Sequence, residues 1–274
     1  MVEFTSEKVT DRIRRIRGYA LEQVYLIEGS SSAALIDTGC GLGNLKSYVE
    51  QFTDKEITVI LTHGHVDHAL GAARFDTVYM SHRDLALFKK HSQPEYRELF
   101  YRCYPAYDSL EPADRQEPID AARLRDLEDG QTFDLGGISL KIFDCPGHTQ
   151  GSETILIPEE RILLTGDACN PFTYLFFEEA LPLSEYEDVL KDYRERVRGL
   201  YDRVLFSHGF VEEPAADIID RVIEACEIVK RGESAQIPWS FADGAAGMVA
   251  KKTDAQFRDA DGVLGNVVYN PERL

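Results

Sequence analysis

The sequence predicts an α/β architecture, with sheets inside and helices outside. Three observations carry this. Apolar runs of strand length alternate with amphipathic runs of helix length along the chain. The succession of strands followed by helices occurs once in each half. Neither a short repeat nor a low-complexity linker interrupts it, so residues 1–274 read as a single domain.

The elements follow in order. Residues 9–17 and 23–28 read as strands, with arginine and isoleucine interleaved in the first. Ser30-Ser31-Ser32 turns the chain, and residues 33–36 return as a strand. Residues 42–52 read as a helix, followed by a short buried strand at 57–61. One or two helical turns over 68–75, a strand at 78–80 and a helix at 82–90 come next. Two strand pairs then cover about 131–144 and 153–165, turning at Gly136-Gly137 and at Pro158-Glu159-Glu160. Residues 184–200 form the clearest helix. Tyr186, Val189, Leu190, Tyr193, Val197 and Leu200 make its apolar stripe, and Ser184 with Glu187 predicts a capping box. After a strand at 204–206, residues 214–231 read as a second strong helix, with Pro214 at its start and Gly232 just past its end. Two aromatic segments fall outside this plan. One is an insertion at about 92–118, with Tyr96, Phe100, Tyr101, Tyr104 and Tyr107 among four prolines. The other is a C-terminal extension at about 233–274 carrying Trp239, Phe241, Phe257 and Tyr269.

Composition narrows the function classes. A 43% hydrophobic and 10% aromatic content supports a substantial core. No stretch approaches the roughly 20 apolar residues of a membrane span, and the N-terminus lacks a basic run followed by an apolar one, so neither a span nor a secretory signal is expected. A net charge of −18 argues against nucleic acid and against anionic membrane surfaces; it reads as solubility. The four arginines of 12–17 read as a solvated strand face. The five cysteines are odd in number and widely spaced, without C-x-x-C. That argues against a disulfide framework and a thiolate zinc site, and fits a reducing cytoplasm.

The chemistry concentrates after the strand at 57–61, where His63, His65, Asp67 and His68 fall within six residues. A loop at a strand's C-terminal edge is where α/β sheets build sites. His63 and His65 are two apart, so extended chain can point both the same way. Asp67 and His68 are adjacent, diverge, and could serve a second ion. Gly64 leaves room for a tight loop. The same device recurs three times: His148 in Cys145-Pro146-Gly147-His148-Thr149, Asp167 in Thr165-Gly166-Asp167, and His208 in Ser207-His208-Gly209 each follow an apolar strand. His82 and His91 lack such a context and read as solvated or packing residues. Cys169 reads equally as a pocket liner or as a small buried apolar residue.

H-x-H-x-D-H, then G-H-T-x-G, G-D and a late S-H-G, in this order, resemble the metallo-β-lactamase superfamily over about residues 20–210, with the glyoxalase II-like and lactonase-like branches nearest. The resemblance implies a four-layer αβ/βα sandwich. Carried over, it implies that His63, His65 and His148 hold one metal and that Asp67, His68 and His208 hold a second, with Asp167 bridging. Asp37, in Leu35-Ile36-Asp37-Thr38-Gly39, matches the family's first motif, an aspartate that orders the metal loop. Two divalent ions are implied. Imidazole and carboxylate donors suit zinc, and also iron or manganese.

Such a pair lowers the pKa of a bridging water and supplies hydroxide near neutral pH. Asp67 is then the catalytic residue, ligating a metal and orienting the nucleophile. The expectation is a metal-dependent hydrolase of a small ester, thioester, lactone or related molecule. The alternatives are an iron-dependent oxidoreductase resembling persulfide dioxygenases and a small-molecule phosphodiesterase. Tyr174, in the aromatic stretch after Asp167, is a substrate-pocket candidate. The insertion and the extension would shape an apolar pocket or form a homodimer interface.

Overall fold

The computed structural model describes residues 2–209, 216–241, 244–254, 258, 262 and 264–274. They fold as two compact units, residues 1–142 and 143–274.

The first unit is built on a seven-stranded sheet whose spatial order is its sequence order. β1 (Thr5–Lys8), β2 (Ile13–Arg17), β3 (Gln23–Glu28) and β4 (Ala33–Ile36) run antiparallel, each to the next. The strand expected at 9–17 is thus the second arm of a hairpin, whose turn occupies 9–12. Its arginines are paired rather than merely solvated. Arg15 and Arg17 both meet Glu7, and the Arg14 guanidinium lies 3.9 Å over the Phe52 ring.

β4, Ala-Ala-Leu-Ile, is wholly buried, the mark of a strand covered on both faces. From β4 onward the pairing turns parallel. β5 (Ile57–Ile60) lies beside β4 with Ile36 opposite Ile60. A short helix α1 (Leu45–Val49) makes the crossover. It is far shorter than 42–52 because Gly41 and Gly43 take left-handed conformations, and Asn44 starts the helix by accepting from the Ser47 N–H. Beyond β5 come α2 (Val66–Ala69), β6 (Thr77–Met80), α3 (Leu85–His91) and α4 (Pro94–Tyr101). The edge strand β7 (Arg125–Asp126) pairs with β6, and a hairpin follows, β8 (Thr132–Asp134) with β9 (Ser139–Asp144).

The aromatic insertion belongs to this unit's core. α4 begins at Pro94, a favoured first-turn position, and buries Phe100 and Tyr101 among Ile16, Leu42 and Phe88. Tyr101 Oη donates to the Cys40 carbonyl at 2.9 Å.

The second unit has its own core. β10 (Glu153–Ile157) pairs antiparallel with β11 (Ile162–Leu164), which pairs parallel with β13 (Arg203–Leu205). α5 (Leu183–Val197) and α6 (Ile218–Lys230) cover it with Tyr186, Leu190, Tyr193, Val222 and Cys226. The expected capping box does not form. Pro182 is the N-cap, and the Arg273 carbonyl already accepts the Leu183 N–H, so Ser184 lies inside the helix. Glu187 is instead buried, bonded to Lys191 and 2.9 Å from Lys230 of α6. Burial alone would raise its carboxyl, but the two lysines outweigh burial and hold it below the usual carboxylate range.

The extension forms a second sheet here. β12 (Thr173–Leu175) pairs parallel with β16 (Val267–Tyr269). β15 (Ala246–Val249) and β14 (Ile237–Ser240) complete the order β12-β16-β15-β14. Pro214 and Phe257 lie outside the described residues. Among the described residues, no helix is long and apolar enough to cross a membrane.

Four of the five cysteines are buried. Burial, reinforced by neighbouring negative groups, pushes the Cys40, Cys145, Cys169 and Cys226 thiols upward. Only half-buried Cys103 is therefore expected to react with a thiol reagent at pH ~8 in the native protein, against all five after denaturation. Two or more fast-reacting native thiols would contradict this.

Candidate metal centre

Parallel pairing brings the ends of β4 and β5 to one edge of the first sheet. There Asp37 follows β4, and the loop 61–65 follows β5. Asp37 is fully buried at φ +62°, a conformation that Asp tolerates better than most residues. Its Oδ1 accepts the Thr62 N–H at 2.7 Å, and its Oδ2 lies 2.9 Å from His68 Nδ1. Thr38 grips the far end of the loop. Its N–H and its hydroxyl both donate to the His68 carbonyl, at 2.7 and 2.9 Å. Gly64 passes close to α3, its N–H donating to Asp84 Oδ2. A Cβ there would sit 3.1 Å from the Asp84 carbonyl oxygen.

These bonds fix which ring nitrogens keep a lone pair. His68 donates Nδ1–H to Asp37, leaving Nε2. The Thr62 hydroxyl donates to Asp37 and accepts His63 Nδ1–H at 3.0 Å, again leaving Nε2. That Nε2 lies 3.0 Å from His65 Nδ1. Asp67 Oδ2 is 3.7 Å from His68 Nε2.

The second unit repeats the device. In the parallel pair β11–β13, Leu164 stands opposite Leu205. Asp167 and His208 each follow three residues later, and His208 Nε2 lies 3.4 Å from Asp167 Oδ2. His148 Nε2 is 3.8 Å from the same oxygen. His148 Nδ1–H donates to the Tyr174 carbonyl at 2.7 Å; a carbonyl only accepts, so Nε2 is the lone pair. Asn170 Nδ2 donates to Asp167 Oδ1 at 3.3 Å.

The donor sets fit a metal. Two ligand atoms 2.0–2.1 Å from a tetrahedral ion stand roughly 3.3–3.4 Å apart. The four contacts above span 3.0 to 3.8 Å and join ring nitrogens and carboxylate oxygens, with no thiolate among them. The sequence-expected residues thus fall into two sets: Asp37, His63, His65, Asp67 and His68 in the first unit, and His148, Asp167 and His208 in the second.

Several contributors carried no sequence signal. His91 has the packing role, one of its two expected readings, and is buried. It stacks between His65 and Tyr96, at 4.8 and 4.0 Å, and its Nδ1 accepts the Val66 N–H. Its place between Lys90 and Ser92 at the end of a charged helix hid this. Tyr104, from the insertion, has its phenol pushed well up, first by burial and then by the charge of Asp67, so it stays a neutral donor. His82 belongs to neither set; it is half exposed and its Nε2 faces the Leu124 carbonyl. Cys169 is fully buried in the core of the second unit, as a small apolar residue.

Gly147 seats His148 against α5. A Cβ at Gly147 would fall 2.1 Å from the ring of buried Tyr186, whose Oη donates to the Ala168 carbonyl. Gly147→Ala is expected to cost about 1–3 kcal/mol through this overpacking and to weaken metal binding by displacing His148. A melting temperature and metal content equal to the parent would refute that.

Buried imidazoles at 63, 68 and 148, with Nδ1 tied to a hydroxyl, a carboxylate and a carbonyl, among acidic side chains of both sets, define a metal-binding class of protein. The chain belongs to the metallo-β-lactamase superfamily, whose family profile matches residues 20–208. It is 26% identical over 205 residues to the human acyl-coenzyme A thioesterase MBLAC2, covering 68% of this chain and 72% of that one. It is also 26% identical over 188 residues to the hydroxyacylglutathione hydrolase GloC of Haemophilus influenzae, covering 66% and 81%. Among solved structures, a metallo-beta-lactamase from Pontibacter korlensis superposes with a TM-score of 0.62 at 17% identity, over 82% of this chain and 99% of that one. The expected fold and family hold, and the chain is a metal-binding hydrolase.

Proposed function

We propose that the chain hydrolyses a small-molecule thioester with a dinuclear centre, best suited to zinc. The observation that carries the metal reading is the set of imidazoles whose Nδ1 atoms are already engaged by Thr62, Asp37 and Tyr174, leaving Nε2 for a ligand bond. Family membership supports the division of ligands: His63, His65 and His148 for one ion, Asp67, His68 and His208 for the other, Asp167 for both. The thioester reading is supported by the relatives, named for an acyl-coenzyme A and for a hydroxyacylglutathione, each an acyl group on sulfur.

When bound, the metals supply a hydroxide nucleophile near neutral pH and stabilise the oxyanion of the attacked carbonyl. Asp67 orients the attacking water and holds its proton. Asp37 keeps His68 in the Nε2-presenting tautomer. The water oxygen bonds to the acyl carbon, the C–S bond then breaks with its electron pair on sulfur, and the proton held by Asp67 passes to the departing thiolate, giving a carboxylic acid and a thiol. A thiol of pKa ~8.5 leaves as its anion without needing a proton donor at the moment of cleavage. Buried free thiols suit a reducing compartment, and we place the protein in the cytoplasm.

The test is a panel of coenzyme A and glutathione thioesters, lactones and phosphodiesters, with metal content measured on protein purified without added metal. Two zinc equivalents are expected, with thioester hydrolysis lost on chelation and restored by zinc. Turnover confined to lactones or phosphodiesters, or one iron with oxygen consumption, would overturn the reading.

A further inference from the structure

We propose that the aromatic surface formed by β12, the stretch after it and β14 receives an aromatic acyl group of the substrate. This rests on the thioester reading above. Phe172, Tyr174, Phe176, Phe177, Trp239 and Phe241 form one cluster, and all but Phe176 are only half buried. Tyr174 is the hub. Its ring centroid lies 5.9 Å from Phe172, 5.3 Å from Phe176, 5.9 Å from Trp239 and 6.5 Å from Phe241. Most of these contacts are edge-to-face, one of the two arrangements aromatic pairs prefer.

Position distinguishes this surface from packing. β12 has period two: Thr173 and Leu175 point into the core while Tyr174 points the other way. The Tyr174 carbonyl holds His148 Nδ1. The Thr173 hydroxyl accepts the Asn170 N–H, and Asn170 holds Asp167. One segment, 167–177, therefore supports two ligand-type side chains through its backbone and polar groups and also carries four of the six rings. Half-exposed aromatics grouped in this way mark a binding surface more than a stability device. Few aliphatic side chains join them (Val249, Val268 and Ala245), so a flat ring is matched better than a flexible chain.

Trp239 is the only tryptophan of the chain, and its Nε1 has no hydrogen-bond partner among the described residues. Its replacement therefore removes ring contacts without orphaning a partner, and its fluorescence reports on the surface. The test compares acetyl-, octanoyl- and phenylacetyl-coenzyme A with the parent enzyme, Trp239→Leu and Trp239→Phe. Phenylacetyl-coenzyme A is expected to be preferred. Trp239→Leu should lower kcat/KM for it, relative to acetyl-coenzyme A, by roughly tenfold, through KM; Trp239→Phe should restore most of the loss. Phenylacetate, but not octanoate, should quench Trp239 in the parent. Equal losses for octanoyl and phenylacetyl substrates, equal losses for acetyl and phenylacetyl substrates, or fluorescence unmoved by phenylacetate would each overturn the proposal. Quenching by phenylacetate without hydrolysis of any thioester would overturn the thioester reading and leave the aromatic site standing.

Discussion

His63→Ala is expected to reduce turnover at least roughly a thousandfold while leaving the chain folded. The magnitude follows from the bond removed. Lewis-acid and nucleophile-generating effects contribute several kcal/mol of transition-state stabilisation, and about 4 kcal/mol corresponds to a thousandfold. His63 sits at the centre of the first donor set, its ring 4.0 Å from that of His68 and 4.7 Å from that of His65. The structural cost is smaller. The Thr62 hydroxyl keeps Asp37 as a partner, so the substitution breaks one neutral hydrogen bond of about 1 kcal/mol and leaves a small polar cavity. Metal content should fall with activity, and a chelator should no longer shift the melting temperature. His82→Ala, outside both sets, should match the parent in all three measurements. Full metal content in His63→Ala would show that the His63–His65 contact is only a hydrogen bond between rings.

The second large effect separates two roles of Asp37. Asp37→Asn keeps a residue that tolerates φ +62°, and its carbonyl oxygen can still accept the Thr62 N–H. The amide cannot hold His68 as a charged acceptor does, so metal affinity should fall about 10- to 100-fold in a protein that melts close to the parent. Asp37→Ala loses more. A left-handed alanine costs roughly 1 kcal/mol or more, and a buried, unpaired Thr62 N–H costs about 1–3 kcal/mol. At 2–4 °C per kcal/mol in a chain of this size, the melting temperature should drop by roughly 5–15 °C. Isothermal titration with zinc and a thermal melt of both variants check this. An Asn variant with parental zinc affinity would remove Asp37 from the metal chemistry.

The run 63–68 was legible because four ligand-type residues follow a buried strand, and β5 does end at Ile60. The positions of Asp167 and His208 were legible for the same reason. What was not legible depends on backbone or distant chain. The acceptor of His148 is the carbonyl of Tyr174, which has no residue signature. The left-handed φ of Asp37 and the stacked position of His91 depend on neighbours far along the chain. Proline spacing concealed α4, although Phe100 and Tyr101 then close the core of the first unit. Ser184 was misread as a cap because the carbonyl that replaces it belongs to Arg273. β12 and β16 could not be paired from sequence, since nothing local links Thr173 to Val267.

That last pairing bears on inheritance and on engineering. The family profile ends at residue 208, yet β12, within that span, takes its parallel partner from residues 267–269. A chimera that transplants only the matched span would carry the strand holding His148 with a bare edge open to neighbouring chains. In this chain the unit of recombination extends past the matched span, and the last strand must travel with His148, which it supports through β12.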